Sequence, residues 1–287
     1  MKSQELYRFI SFESFMNLLI TKEERYVRPI DCWEDTYEGY MLHMLDTNKG
    51  TREVLEIIYD KYSGNENKLH NTMLIYSQLL RARYACYGQS WSKVKDSDAM
   101  WRIYSYNKKA IQLVSEKDRI KNLFGNNSEK YLKLRIGDIT YDDNVDVSIR
   151  KGMPATEPYF HKRDAFKHEE EVRVILLYDK HYSEFTDYYI DSIESISNKN
   201  NEEIDDVDKI MSAIEHLEII EKFENPYRGF SLFPETTNVR IKELSDYIIG
   251  VRVHPQAENW YVNLIEKICE EYHIKFIGQS ELYKKVI

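Results

Sequence analysis

Cysteine is scarce in this chain of 287 residues, which contains only Cys32, Cys86 and Cys269. The three are widely separated, show no C-x-x-C spacing and, as an odd number, cannot all form disulfides with one another. This pattern excludes a disulfide framework and a zinc ribbon. It is typical of reduced thiols in a cytosolic protein.

Long apolar runs are also lacking. No stretch of the sequence approaches the roughly 18 apolar residues that a bilayer-spanning helix needs. The N-terminal sequence MKSQELYRFI has neither the apolar segment nor the small-residue cleavage site of a secretory signal. We therefore expect a soluble, cytoplasmic protein without a membrane partner.

The sequence contains none of the short motifs that identify the common cofactor and catalytic sites. G-x-G-x-x-G, G-x-x-x-x-G-K-[ST] and the G-x-S-x-G elbow are absent, and the eight histidines show no H-E-x-x-H spacing. A cluster of acids, Asp31, Glu34, Asp35 and Glu38, lacks the spacing of a calcium loop. No bound metal is predicted.

Acidic residues are concentrated in one segment. The net charge of the chain is −9, and the segment from Asp179 to Glu224 contains 14 acidic and 4 basic residues. The remainder of the chain is therefore close to neutral. The acidic net charge argues against a protein that coats nucleic acid without sequence preference. Three roles stay open for the segment: shielding a site, imitating nucleic acid toward a protein partner, or keeping the protein soluble.

Hydrophobic periodicity predicts an α+β fold with a mixed, mainly antiparallel sheet. Ser11 is the predicted N-cap of the first helix, and Asp96 or Ser97 caps a later one. A C-terminal helix is predicted from Ala257 to Tyr272. Period-two alternation predicts strands in the segments LYRF, RYVRPI, YGQSWS, KAIQLVS, YLKLRIGDITYD, EVRVILLYD, YIIGVRVHP and KFIGQSEL.

The chain is expected to form a single domain over residues 1–287. Apolar residues at helical spacing predict a helical insertion at 42–85, interrupted near 63–68. The acidic region at 179–224 is predicted to be a second insertion, because its polar and acidic composition is typical of an exposed loop or short helix.

The segment FKHEEEVRVI carries three consecutive glutamates into a predicted strand. Because side chains alternate along a strand, Glu169, Glu171 and Arg173 are expected on one face, with the two carboxylates roughly 7 Å apart. In one interpretation the two carboxylates line a cleft. In the other they form a strand end and pair with nearby basic side chains. The candidates for that pairing are Lys162, Arg163 and Lys167.

Two further segments contain candidate functional residues. Ser90 and Ser92 flank Trp91 in YGQSWS, so their hydroxyls share the face opposite the indole; they are either tolerated in the core or hold a carboxylate or a substrate. Arg8 in LYRF has Tyr7 on the other face. Its guanidinium suits a phosphate or a carboxylate, and the simpler interpretation is an arginine paired within the protein.

Several segments occur in the order found in a bacterial family known as domain of unknown function 2971, which the chain resembles from about residue 5 to residue 282. The segments are LYRFISFESFMNLL, WEDTYEG, SWS followed by DAMWRIYS, FKHEEEVRVI and IIGVRVHPQ. Their order also resembles that of the ADP-ribosyltransferase superfamily, which has an arginine or histidine on the first strand, a later Ser-x-Ser and then a Glu-x-Glu. The corresponding residues are Arg8, Ser90, Ser92, Glu169 and Glu171.

This second resemblance implies a split sheet in which Arg8, Ser90 and Glu171 converge on one cleft. It implies NAD as a substrate, with Glu171 stabilising the oxocarbenium charge that develops on the ribose and Glu169 activating the acceptor. Ser90 would hold Glu171, and Arg8 would hold the NAD phosphate or ribose. The substrate-binding residues that it implies are Tyr7, Trp91, Ser92, Trp101, Tyr104 and Arg173.

The function predicted on this basis is NAD-dependent ADP-ribosylation of a macromolecule, protein or nucleic acid, by an effector in toxin action or phage defence. Two other classes stay open. In a non-catalytic nucleotide- or protein-binding module, the same residues would form a salt-bridged core network. In a metal-dependent nuclease, acids would bind magnesium, with Asp31, Asp35, Glu38, Glu169 and Glu171 as the candidate ligands.

Overall fold

The computed structural model of the protein describes residues 3–61, 67–125, 131–144, 154–178, 190–196, 206–224 and 234–284. Within them the fold is α+β with a mixed, mostly antiparallel sheet, as the sequence predicts. The strands are β1 (Glu5–Ile10), β2 (Glu23–Val27), β3 (Cys86–Ser92), β4 (Ile111–Glu116), β5 (Tyr131–Asp138), β6 (Thr140–Tyr141), β7 (His161–Lys162), β8 (Glu171–Tyr178), β9 (Thr236–Arg240), β10 (Gly250–Val253) and β11 (Phe276–Gln279).

Nine of these strands form one sheet across the described residues. β11, β10, β4, β1, β3, β2 and β9 are neighbours in that order, and β8 joins β3 to β5. Pairing is antiparallel except between β10 and β11 and in the small separate sheet of β6 and β7. All eight segments predicted as strands overlap one of these strands.

Two of the described helices begin at a capping serine. Ser11 accepts a hydrogen bond from the Ser14 N–H at 3.1 Å, and Ser97 rather than Asp96 caps the later helix by accepting from the Met100 N–H. None of the described helices combines the length and apolar character needed to cross a bilayer. They are α1 (Phe12–Thr21), α2 (Pro29–Cys32), α3 (Tyr40–Met44), α4 (Asn48–Lys61), α5 (Lys68–Ala85), α6 (Asp98–Tyr104), α7 (Lys117–Gly125), α8 (190–196), α9 (Val207–Glu224), α10 (Leu244–Tyr247) and α11 (Asn259–Glu271), with 3-10 helices at Glu157–Phe160 and Asp164–Glu169.

The sheet divides at β3. One edge of β3 pairs with β8 along its whole length, from Cys86 to Ser92. The other edge is shared, because β1 pairs with it at Ser92 and β2 pairs with it at Gly88. Among the described residues β1 and β2 do not pair with each other. The edge of β3 between these two points is therefore open.

Each face of the sheet is covered by its own apolar core. On β8, Val172 and Val174 face a core completed by α1, α7 and α11, whereas Ile175 and Leu177 face a core completed by α4, α5 and α9. Burial of a large aliphatic side chain contributes about 1.5–3 kcal/mol, so these residues set the register of β8. Alternation then places Arg173 on the face that carries Ile175.

The predicted helical insertion at 42–85 corresponds to the end of α3 and to α4 and α5, which pack with α9 on one face of the sheet. Arg83 of α5 donates a hydrogen bond to the backbone carbonyl of Leu42 at 2.7 Å, which ties α5 to α3. Part of the acidic region, 179–189 and 197–205, lies outside the described residues. Its described helices, α8 and α9, contribute buried residues to the same core.

The predicted strand at 247–255 is shorter in the structure. Tyr247 ends α10, and β10 begins at Gly250. The backbone carbonyl of Tyr247 accepts a hydrogen bond from the Ser115 hydroxyl at 2.6 Å, so it is not free to join a strand ladder. This contact between distant parts of the chain has no signature in the local sequence.

We predict that Gly88→Ala lowers the free energy of unfolding by about 1–3 kcal/mol, the usual effect of overpacking. A Cβ at this position would lie 2.5 Å from Cζ2 of Trp33 and 3.1 Å from Cδ1 of Ile175. Urea denaturation measures the change. Gly125→Ala is the matched control, because a Cβ there meets no atom within 4 Å; equal effects of the two substitutions would contradict the assigned packing of Trp33 on β3.

Candidate functional site

A cleft of about 290 Å³ lies where β1 and β2 separate along the open edge of β3. Ser90 is exposed in this cleft, although every other residue of the fully described strand β3 is buried. Arg8, Ser90 and Glu171 all line the cleft, so the three positions converge there. The full lining is Tyr7, Arg8, Phe9, Arg25, Val27, Trp33, Gly88, Gln89, Ser90, Trp91, Ser92, Met100, Tyr104, Glu169 and Glu171.

The carboxylate of Glu171 is held by three donors at the start of β8. Its Oε1 accepts hydrogen bonds from the Ser90 hydroxyl at 2.5 Å and from Nε of Arg173 at 2.8 Å, and its Oε2 accepts from Nζ of Lys162 at 3.1 Å. Burial alone would raise the pKa of this carboxyl, but the charges of Arg173 and Lys162 and the Ser90 hydrogen bond hold the pKa below its ordinary value. Glu171 is therefore ionised at neutral pH.

The ammonium of Lys162 lies among three carboxylates. Its distances are 3.1 Å to Glu38, 2.7 Å to Glu169 and 3.1 Å to Glu171. Burial would lower the pKa of Lys162, but the three carboxylates outweigh it and raise the pKa. Burial raises the pKa of the Glu38 carboxyl despite its contacts with Arg173 and Lys162. The result is a buried network of three acids and two bases beside the cleft.

The two glutamates of the predicted Glu-x-Glu pair meet by a different geometry from the one expected. Glu169 ends the 3-10 helix, and Glu170 adopts a left-handed conformation with φ of 41°, so β8 begins only at Glu171. Strand alternation therefore does not bring Glu169 and Glu171 together. Lys162 does so by binding both carboxylates, as one interpretation of the sequence anticipated for Glu169.

Arg8 spans the gap between β1 and β2. Alternation places it on the face of β1 that carries Leu6 and Ile10, opposite the face of the sheet that carries Ser90, and its NH1 donates to Oε1 of Glu24 at 2.5 Å. The side chain of Arg8 is still 20% exposed and lines the cleft. Its charge is thus engaged by a partner on β2 before any ligand binds.

Two of the predicted substrate-binding residues lie away from the cleft. Arg173 is fully buried behind Glu171; its NH1 donates to the backbone carbonyl of Tyr159 at 2.5 Å, and its guanidinium stacks on Trp33 at 4.0 Å. Trp101 is also fully buried, because it packs edge-on against Phe9 with ring centroids 4.8 Å apart. Neither side chain forms part of the cleft lining.

Ser92 and Trp91, which follow Ser90 on β3, use their polar atoms in hydrogen bonds within the protein. The Ser92 hydroxyl donates to the backbone carbonyl of Glu169 at 2.6 Å, which holds the end of the 3-10 helix against β3. Nε1 of Trp91 donates to Oε1 of Gln89 at 2.8 Å on the opposite face of the strand. Both residues contribute to the cleft lining while stabilising β3.

Two tyrosines that the sequence proposed do line the cleft. Tyr104 of α6 is 45% exposed and stacks on Phe9 with ring centroids 5.9 Å apart. Tyr7 is largely buried, and its hydroxyl donates to Glu5 at 2.7 Å. Burial and the Glu5 carboxylate raise the pKa of Tyr7 to about 12, so it is neutral. Tyr104 is the more accessible aromatic surface.

Sequence reasoning missed Arg25 and Trp33. Arg25 is exposed on β2, and Trp33 lies against Gly88 between Arg173 and the cleft. Alternation in RYVRPI marks Arg25 as solvent-facing, which is a weak signal. The dense side chains of DCWEDTYEGY mark the region of Trp33, but they do not specify which residue reaches the site.

Three of the four acids of that segment pair with basic side chains. Asp31 accepts from Nε of Arg28, and Asp35 forms an ion pair with Arg163 at 3.0 Å. Glu38 pairs with Lys162. Within the described ranges no group of three or more His, Cys, Asp or Glu side chains is arranged to hold a metal ion.

Comparisons of the chain with protein-family models, with curated proteins and with solved structures found no match. The two family resemblances noted in the sequence therefore stay predictions.

We predict that Lys162→Met lowers the free energy of unfolding by about 3–5 kcal/mol, the usual effect of removing one partner from a buried ion pair. The substitution leaves the carboxylates of Glu38, Glu169 and Glu171 without their shared cation. Chemical denaturation measures the loss. Lys167→Met is the control, because Lys167 is exposed in the neighbouring 3-10 helix and its loss should change stability by less than about 0.5 kcal/mol.

The depressed pKa of Glu171 predicts a specific pH dependence. A carboxyl whose folded-state pKa lies below its unfolded value of 4.5 stabilises the fold above that value, and this contribution is lost as the pH falls through the folded-state pKa. The stability difference between the parent and Glu171→Gln should therefore shrink as the pH falls below 4.5. Urea titrations at several pH values test this; a difference that grows toward acid would contradict the assignment.

Proposed function

We propose that the protein is an NAD-dependent ADP-ribosyltransferase-like enzyme that modifies a macromolecule. The observation that supports this most strongly is the hydrogen bond from Ser90 to Glu171 at the bottom of a cleft opened by the split sheet. A glutamate oriented by a serine on the adjacent strand, with Arg8 in the same lining, agrees with what the motif order implies.

The charge of Glu171 suits the proposed chemistry. When the bond between the nicotinamide nitrogen and ribose C1′ breaks, its electron pair leaves with nicotinamide and positive charge develops on the ribose. A carboxylate that stays ionised and is fixed by Ser90, Arg173 and Lys162 stabilises this charge without having to reorganise. The low pKa of Glu171 is consistent with this electrostatic role.

Glu169 is the proposed base for the acceptor. The acceptor nucleophile forms the new bond at C1′ and transfers its proton to the Glu169 carboxylate. Glu169 is bound by Lys162 at 2.7 Å, so Lys162 keeps this carboxylate in place beside Glu171. Tyr104, with its stacked partner Phe9, provides the aromatic surface for the nicotinamide ring.

The size of the cleft suits part of the dinucleotide. Its volume of about 290 Å³ is at the lower end of the roughly 300–1,000 Å³ of small-molecule sites, which favours the nicotinamide ribose half as the enclosed part. A macromolecular acceptor is consistent with an open cleft at the sheet surface. The proposed role in toxin action or phage defence rests on the family resemblance alone.

A second candidate function is a non-catalytic nucleotide- or protein-binding module. It is favoured by the burial of Glu171, which is only 2% exposed, and by the pairing of Arg8 with Glu24. In this case the charged network stabilises the junction of β3 and β8, and the cleft binds its ligand without chemistry.

The test is NAD turnover by Glu171→Gln. We expect the folded variant to lose roughly 10²- to 10³-fold in the rate of nicotinamide release, because the carboxylate charge at the developing cation is removed. Labelled NAD with cell lysate shows whether ADP-ribose is transferred to a macromolecule. Glu170→Gln is the matched control, since Glu170 is exposed and lies next to Glu171.

The outcomes separate the two functions. Turnover that is lost in Glu171→Gln and kept in Glu170→Gln supports the enzyme. A parent protein that binds a nucleotide but neither releases nicotinamide nor transfers label is a binding module. If folded Glu171→Gln turns over NAD as fast as the parent, Glu171 is not catalytic.

A further inference from the structure

The charged residues that line the cleft form ion pairs, with one exception. Glu169 is bound by Lys162, and Glu171 is bound by Lys162 and Arg173, two cations that Glu38 shares. Arg8 is paired with Glu24 on the floor of the gap. Arg25 is the remaining charged residue of the lining, and in the part of the chain that the structure describes it forms no ion pair. Among the charged residues of the lining, Arg25 is therefore the one whose charge no ion pair among the described residues engages.

The position of Arg25 follows from the way the sheet divides. Val27 of β2 is opposite Gly88 of β3 in antiparallel register. Continuing that register by two residues brings Arg25 to the level of Ser90, where β2 has already separated from β3. Alternation places Arg25 on the same face of β2 as Val27, and both residues line the cleft. Arg25 therefore lies on the β2 side of the cleft, at the level of Ser90.

The opposite wall at the same level is aromatic. Tyr7 of β1 is opposite Ser92 in antiparallel register, so the same continuation brings Phe9 to the level of Ser90 from the other side. Phe9 is stacked with Tyr104. The cleft therefore has an apolar, aromatic wall on the β1 side and a cationic wall on the β2 side, with the Ser90 hydroxyl between them.

A cleft with one aromatic wall and one cationic wall fits a ligand with a flat ring at one end and an anionic group at the other. A planar guanidinium forms two parallel charge-assisted hydrogen bonds to a phosphate. Arg25 is more available for this than Arg8, because Glu24 already engages the Arg8 charge. Both acids of the lining are bound by cations, Glu169 by Lys162 and Glu171 by Lys162 and Arg173.

We propose that Arg25 binds a phosphate group of the ligand, so that the cleft takes a phosphorylated ribonucleoside with its base ring against Phe9 and Tyr104. This inference rests on the proposed function and names the part of the site that selects the phosphorylated substrate. Arg25 is a binding residue in it and takes no part in bond breaking.

The test uses two probes that differ by one phosphate, nicotinamide mononucleotide and nicotinamide riboside. Calorimetry on the full chain should show the mononucleotide binding about tenfold or more tightly, the effect expected of a charge-assisted arginine–phosphate contact. Arg25→Ala should remove this difference, and Arg25→Lys should keep part of it. Because the contact is exposed, the difference should also decrease at high salt.

Arg52→Ala is the matched control. Arg52 is a partly exposed arginine on α4 that pairs with Asp208 and lies outside the cleft lining, so its loss changes the net charge equally. The inference is overturned if the parent does not prefer the mononucleotide. It is also overturned if Arg25→Ala and Arg52→Ala bind the two probes alike.

Turnover separates this inference from the proposed function. NAD turnover whose KM is the same in Arg25→Ala as in the parent would contradict the role of Arg25 and leave the transferase standing. Mononucleotide binding that depends on Arg25, in a protein that does not turn over NAD, would support the role of Arg25 and contradict the transferase.

Discussion

The ammonium of Lys162 holds together three carboxylates that come from separate segments of the chain. Glu38 precedes α3, Glu169 ends a 3-10 helix and Glu171 begins β8. Leaving a buried carboxylate without a cation is costly, so the meeting of the three segments at Lys162 stabilises the fold. This requirement fixes the start of β8 against β3 and places Glu171 at the side of the cleft, where Ser90 reaches it.

The cleft itself results from the way the edges of β3 are used. β8 occupies one edge completely, which leaves β1 and β2 to share the other. Two strands cannot pair with the same residues of one edge, so they separate and expose Ser90 between them. Trp33 fits on this surface because Gly88 has no side chain. The open floor and its aromatic and cationic walls therefore arise from strand pairing, without a dedicated loop.

The distribution of charge connects the stability of the site with its proposed chemistry. Lys162 and Arg173, which are not part of the cleft lining, form ion pairs with Glu171. These contacts keep the Glu171 carboxylate ionised and fixed in position. Arg8 is neutralised by Glu24 across the gap. The cleft can therefore accept a ligand whose positive charge develops near Glu171 and whose anionic end lies toward Arg25. A binding module would use the same arrangement and would differ only in leaving the ligand intact.

The sequence by itself determined the α+β class, eight strand-forming segments, the cap at Ser11 and the grouping of Arg8, Ser90 and Glu171, because these depend on periodicity, capping chemistry and motif order. It left the later cap open between Asp96 and Ser97 and did not predict β7 or β9. It named Lys162 as a candidate partner of the two glutamates, but it did not predict the left-handed turn at Glu170, the addition of Glu38 to the Lys162 cluster or the position of Arg25. Those depend on long-range contacts, which bring together side chains far apart in the chain and leave no local pattern. The tertiary structure alone decided which charges are compensated, because pairing a buried charge requires a partner within a few ångströms in space, whatever its place in the sequence.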